Sequence, residues 1–231
     1  MYNKHKMIFR KSDSTAAVEA YIFERFEEHL KNGEVCVWLL SGGSAIPVAV
    51  SVARRLRSTF SPLDLHKLHV SLSDERFGPV GQVDSNWQQL LVAGFLLSGA
   101  ELLPVLTGKS FDDTTADFDA LLSTQLIPAN YTLGLFGMGP DGHTAGIKPG
   151  SPALEASRLA TCYVGDDYQR ITMSAKAIGL LDEAVLYATG AGKWPMLEKL
   201  QATLPAVVQP AQLLKTAAHL TIFNDLKGDS V

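Results

Sequence analysis

Five short apolar runs, each closed by a cluster of glycine and polar residues, restrict the folds open to this chain. Residues 35–40 end in Ser41-Gly42-Gly43-Ser44, 68–72 in Ser73-Asp74-Glu75-Arg76, and 131–136 in Gly137-Met138-Gly139-Pro140-Asp141-Gly142-His143. Residues 184–188 end in Thr189-Gly190-Ala191-Gly192-Lys193, and 219–223 in Asn224-Asp225. Short, largely apolar runs bounded by such clusters read as buried strands of a parallel sheet. Between them, Ala17, Val18, Tyr21, Ile22 and Phe26 recur with a helical period and predict a helix from a cap at Asp13 or Ser14 to about Lys31. Further helices are predicted over 47–56, 86–97, 112–122 and 193–200. The alternation implies an α/β fold with a mainly parallel sheet. A length of 231 residues without a linker or repeat is read as a single domain over 1–231.

Ligands of open parallel sheets bind beyond the carboxyl ends of the strands, so the polar loops are expected to converge on one sheet edge. Ser41-Gly42-Gly43-Ser44 lies between a strand and a helix, where glycine lets backbone approach a phosphate and the helix N-terminus favours negative charge. Asp74-Glu75-Arg76 offers two carboxylates and a forked cation. Asp141-Gly142-His143-Thr144 is the sharpest local signal: a histidine serves as general base near neutral pH, and a carboxylate two residues away can orient it. Arg170 and Lys193 would complete a phosphate pocket, a salt-bridge role being the plainer reading of each.

Several motifs fail. Gly137-x-Gly139-x-x-Gly142 matches the dinucleotide fingerprint in letters, but no helix is predicted directly after it. Gly192-Lys193 lacks the upstream glycine of a phosphate loop and is followed by Trp194. No Gly-x-Ser-x-Gly elbow gives Ser41, Ser44 or Ser73 a triad context. His66 and His69 supply at most part of a metal site, so no metal is expected.

With 46% apolar and 19% charged residues the composition is globular. A net charge of −4 carries no basic excess, which argues against a nucleic-acid partner. The longest apolar run, 90–97, is too short for a bilayer, and Lys4, Lys6, Arg10 and Lys11 leave only Met7-Ile8-Phe9 between them, too little for a signal peptide. Cys36 and Cys162 are expected to be buried reduced thiols, consistent with the cytoplasm.

Taken in order, Ser41-Gly42-Gly43-Ser44, Asp74-Glu75-Arg76, Asp84-Ser85-Asn86, Gly137 to Ala145, Arg170-Ile171-Thr172 and Gly190-x-x-Lys193 resemble the 6-phosphogluconolactonases, whose relatives are the glucosamine-6-phosphate deaminases. The resemblance runs from about residue 8 to residue 225, and Gly139-Pro140-Asp141-Gly142-His143-Thr144 is its specific segment. It implies the Rossmann-like, mainly parallel sheet shared with ribose-5-phosphate isomerase. It also implies hydrolysis of 6-phospho-D-glucono-1,5-lactone to 6-phosphogluconate, in the oxidative pentose phosphate pathway, without a metal or organic cofactor. By the same resemblance Gly42, Gly43, Ser44, Arg170 and Lys193 hold the 6-phosphate. His143 takes a proton from the attacking water, Asp141 positions His143 or the water, Asp74 contacts the substrate, and Arg76 helps hold the substrate or offsets developing oxyanion charge.

The chain departs from the family pattern at three places. Ala45-Ile46-Pro47 adds a residue before the proline after the glycine loop. Ile147-Lys148-Pro149-Gly150 brings a cation where the family usually has Leu-Phe-Pro-Gly, and Ala217-Ala218-His219-Leu220 replaces a usual tryptophan. Two positions separate the relatives. Deaminases carry a glutamate five residues after the histidine, where this chain has Lys148, and usually an aromatic where it has Arg76. The alternatives are such a deaminase, a non-catalytic sugar-phosphate sensor that tolerates loss of His143, and a nicotinamide enzyme binding its cofactor at 137–142. The oligomeric state is left open between monomer and dimer.

Overall fold

A computed structural model describes residues 6–228. Among them the strands are β1 (Lys6–Lys11), β2 (Cys36–Leu40), β3 (Leu68–Leu72), β4 (Asp74–Arg76), β5 (Glu101–Leu102), β6 (Tyr131–Phe136), β7 (Ala160–Val164), β8 (Gln169–Met173), β9 (Glu183–Ala188) and β10 (His219–Asn224). The helices are α1 (Ala16–Lys31), α2 (Ile46–Thr59), α3 (Pro62–Leu65), α4 (Asn86–Val92), α5 (Phe111–Leu126), α6 (Ala175–Ile178) and α7 (Trp194–Leu200). Seven strands pair in parallel in the order β1-β10-β9-β6-β2-β3-β5. The other three form a small antiparallel sheet, β4-β8-β7. The fold is therefore the expected Rossmann-like α/β arrangement, with helices flanking a mainly parallel sheet.

Every residue of β2, β6 and β9 is buried, which is why those runs are predominantly apolar, with Thr132 and Glu183 as the buried polar exceptions. Trp38, Phe26, Phe136 and Phe223 are among the largest fully buried side chains. Burial of each such side chain contributes about 1.5–3 kcal/mol. α1 packs against α2 and reaches β2, bringing Phe26 to 5.3 Å from the Trp38 ring.

The strand order places the site. From β2 the chain moves outward to β3, whereas from β6 it moves the other way to β9 and β10. β2 and β6 are neighbours, so the loops leaving their carboxyl ends diverge and open a crevice between them.

Helix ends differ from expectation in instructive ways. α4 stops at Val92 rather than at residue 97, because Gly94 turns the backbone to φ +92° and sends Phe95 and Leu97 into the core. α5 runs from Phe111 to Leu126, longer at both ends, with Ser110 accepting from the Asp113 N–H. α1 begins at Ala16 behind Thr15, and neither Asp13 nor Ser14 caps it. The glycine-rich stretch before α7 winds a short 3₁₀ turn through Lys193, so α7 starts one residue later than predicted.

β1 is not among the strands expected from the sequence: Lys6, Arg10 and Lys11 leave only three apolar residues between them, and an edge strand, which pairs on one side only, carries such charge readily. The remaining N-terminal cation, Lys4, lies outside the described residues. Cys36 is buried, and burial pushes its thiol up to about 12. Cys162, in contrast to the expectation, is only partly buried in β7. No helix among the described residues is long and apolar enough to cross a membrane.

Candidate active site

A cavity of about 260 Å³ opens at the carboxyl ends of β2 and β6. Gly42, Gly43, Ser44, Asp74, Arg76, His143, Arg170 and Lys193 all line it. These eight residues come from five separate stretches of sequence. Asp141 does not line the cavity and stands behind His143.

The β2 loop supplies its wall through two glycines with different needs. Gly43 takes φ +64°, which a residue with a Cβ rarely adopts. Gly42 has ordinary dihedrals, but a Cβ there would fall on the Asn86 side-chain oxygen. The extra residue before Pro47 is absorbed in a 3₁₀ turn, Gly43–Ala45, that leads into α2 with Pro47 in its first turn. Gly42, Gly43 and Ser44 remain on the cavity wall, at the N-terminal end of the 3₁₀ turn that leads into α2.

Asp74 and Glu75 are neighbours in β4 and do different things, because successive side chains of a strand point to opposite faces. Asp74 faces the cavity and is 5% exposed. Burial pushes its carboxyl up, against the pull of Arg76, Arg170, Ser73 and His143. Glu75 points away, fully buried, and accepts from the N–H groups of Arg76, Asn86 and Trp87 and from Ser85 Oγ at 2.7–3.1 Å. Burial pushes its carboxyl up too, and those four donors oppose it. It ties the start of α4 to β4. Glu75→Ala is therefore expected to destabilise the fold by about 3 kcal/mol, since it strands buried donors. A urea titration that moved by under about 0.5 kcal/mol would contradict that role.

The loop after β6 is held at several points. Gly139 N–H donates to His143 O at 2.9 Å, Thr144 Oγ1 to Gly137 O at 2.7 Å, and Ala211 N–H to Gly142 O at 3.0 Å. Thr144 and Ile147 form a bridge, and no helix follows Gly142 as a dinucleotide fingerprint requires. Ala145 sits at φ +47°, a strained conformation for alanine, with Thr172 Oγ1 donating to its carbonyl.

His143 Nδ1 lies 2.6 Å from Asp141 Oδ1, and the same oxygen accepts the His143 N–H at 3.1 Å. Burial raises the Asp141 carboxyl, but the His143 N–H and imidazole outweigh it and hold it below the usual range. An ionised carboxylate only accepts, so Nδ1 carries the proton and the neutral ring presents its lone pair at Nε2. Such an arrangement can remove a proton from a bound water.

Arg76 and Arg170 sit opposite each other on β4 and β8. The Tyr168 ring lies 5.3 Å from one guanidinium carbon and 5.5 Å from the other. Arg76 also donates to Asp84 O at 2.8 Å, and Arg170 to Asp167 at 2.8 Å. Each retains a buried Nε without a hydrogen-bond partner. Lys193 is half-buried. Burial pulls its ammonium below the ordinary lysine range and Asp225 opposes this; Asp225 also accepts from Gly190 N–H and Trp194 Nε1, bracing the Lys193 turn. His66 and His69 lie apart from the cavity, His66 against Leu63 O and His69 between Gln125 and Glu101.

Sequence reasoning assigned no role to Asn86, Asp167 or Tyr168. Asn86 Nδ2 donates to Asp74 O at 2.9 Å, while its buried Oδ1 faces Gly42 without a hydrogen-bond partner. Its signal was present in Asp84-Ser85-Asn86, directly before α4.

Residues 10–223 match the family model described as glucosamine-6-phosphate isomerases/6-phosphogluconolactonase. A 6-phosphogluconolactonase of Pseudomonas putida is 33% identical over 182 residues, covering 74% of this chain and 71% of that protein. The fold matches a 6-phosphogluconolactonase structure from Shewanella baltica with a TM-score of 0.78, at 20% identity over 96% of this chain and 98% of that one. It matches a monomeric glucosamine-6-phosphate deaminase equally well, with a TM-score of 0.78 at 14% identity over 95% and 98% of the two chains. Fold alone therefore does not separate the two chemistries.

Proposed function

The chain belongs to the glucosamine-6-phosphate isomerase/6-phosphogluconolactonase family, and from that premise we propose that its cavity hydrolyses 6-phospho-D-glucono-1,5-lactone to 6-phosphogluconate. The observation that carries the lactonase reading is that His143, backed by the Asp141 carboxylate, faces a cavity that Arg76 also lines, with Lys148 standing where deaminases carry a glutamate.

The N–H groups of the Gly42-Gly43-Ser44 turn, the Arg170 fork and the Lys193 ammonium bind the 6-phosphate. Asp74 accepts sugar hydroxyls. A water beside His143 gives its proton to Nε2 as its oxygen attacks the lactone carbonyl. Arg76 stabilises the oxyanion that forms. Collapse of the tetrahedral intermediate breaks the ring C–O bond, and the imidazolium returns the proton to the departing alkoxide. Asp141 holds the ring tautomer and steadies its charged form. A lactone is an activated ester, so no covalent nucleophile is needed. The same reading takes the chain as one domain and its substrate as a small sugar-phosphate lactone. It places the work in the cytoplasm, with no nucleic-acid or membrane partner and no cofactor.

Comparing this lactone with unphosphorylated glucono-1,5-lactone tests the reading. A preference of about 100-fold or more in kcat/KM is expected from two cations and a helix N-terminus acting on one phosphate. Equal turnover would remove the phosphate assignment. Affinity for 6-phosphogluconate should also fall at alkaline pH before an ordinary lysine would titrate. The phosphate is already dianionic there (second pKa about 6), so the loss reports the Lys193 proton, whose pKa burial lowers. Calorimetry across that range should show the decline in the wild type and not in Lys193→Met.

A further inference from the structure

We propose that Lys148 sets the enzyme's affinity for the phosphate without touching the substrate, by neutralising the carboxylate that stands behind Arg170. This rests on the reading of Arg170 as a phosphate ligand. Asp167 Oδ2 takes both cations, Lys148 Nζ at 3.0 Å and the Arg170 terminal nitrogen at 2.8 Å. Arg170 is 7% exposed and lines the cavity; Lys148 does not line it.

A carboxylate paired with a lone guanidinium cancels its charge, and a phosphate must then compete for it. With two cations on one carboxylate, the group keeps one net positive charge, directed through Arg170 at the cavity. The pair is partly exposed, so the effect is bounded: Asp167 is 40% exposed at its side chain and Lys148 26%. The two cations hold the Asp167 carboxyl well below the usual range although burial opposes them.

Lys148 is not needed to hold its own loop. Thr144 and Ile147 form their bridge, Tyr163 donates to Gly146 O at 2.6 Å, and Thr172 donates to Ala145 O, all without the lysine side chain. Removing its charge should therefore alter the field at Arg170 while leaving His143 in place.

The test uses four variants of the full chain, assayed on 6-phosphogluconolactone and on unphosphorylated glucono-1,5-lactone. Lys148→Met should raise KM for the phosphorylated lactone about three- to ten-fold, with kcat and the unphosphorylated reaction unchanged within about two-fold. Lys148→Arg should restore KM. Lys148→Met combined with Asp167→Asn, which keeps an acceptor for Arg170 and removes the charge, should also restore it. The increase should shrink as salt is added. An unchanged KM in Lys148→Met overturns the proposal, as does an equal loss on both lactones, which would mark Lys148 as a structural strap. Failure of the double variant to recover overturns it as well. Arg170→Ala separates the two levels: if it leaves KM unchanged, the phosphate assignment itself is wrong, and the proposal falls with it.

Discussion

Replacing His143 with alanine should lower kcat about 10²–10⁴-fold and leave KM nearly unchanged. The imidazole acts on the water, whose proton moves only in the transition state, so its loss costs rate rather than ground-state binding. The fold should survive. His143 is 38% exposed at its side chain, and its loop is held through backbone groups, Gly139 N–H to His143 O and Ala211 N–H to Gly142 O. Equal thermal midpoints for variant and wild type, together with the loss of rate, would place the effect in chemistry. Full turnover in the variant would show that another group takes the proton.

Arg170→Ala should raise KM about 10- to 100-fold with a smaller change in kcat, because a charge-assisted contact to phosphate contributes about 1.5–3 kcal/mol. Arg170 is the more buried of the two cavity arginines and presents a fork rather than a point charge. Arg170→Lys should therefore recover only part of the affinity. Removing the guanidinium also withdraws one of the cations that oppose the rise of the Asp74 carboxyl. The variant should bind 6-phosphogluconate weakly at every pH where the phosphate is dianionic. Inhibition by the product gives that affinity without the unstable lactone, and an unchanged constant would remove Arg170 from the phosphate site.

The sequence disclosed most where burial was complete. β2 and β6 were readable because strands at the middle of a parallel sheet are largely apolar on both faces, and the glycines after them marked where they stopped; β3 keeps Leu68, Val70 and Leu72 on one face, with His69 and Ser71 between them. β7 escaped because its burial follows neither a uniform nor an alternating pattern and it pairs antiparallel with β8, so nothing regular marks it. The site was legible as a set of loops: eight of the nine proposed residues meet at one cavity, and the ninth, Asp141, lies behind His143.

What the sequence hid was the direction of side chains and the pairing of distant charges. Asp74 and Glu75 looked equivalent, yet one faces the cavity and the other fastens α4. Which face a strand residue takes depends on what packs against it, and a local pattern does not contain that. Lys148 and Asp167 belong to different loops, and their ion pair forms only because the loop after β6 and the turn before β8 fold over one another. Lys148 was visible as a departure at a family position; its partner was not.

The most direct measurement of the central claim is continuous proton release from freshly generated 6-phosphogluconolactone, read against its spontaneous opening, with ammonia release from glucosamine 6-phosphate followed in parallel. Enzyme-dependent proton release proportional to protein concentration, without ammonia, is the predicted result. Ammonia from glucosamine 6-phosphate, or lactone opening no faster than in buffer, would contradict it.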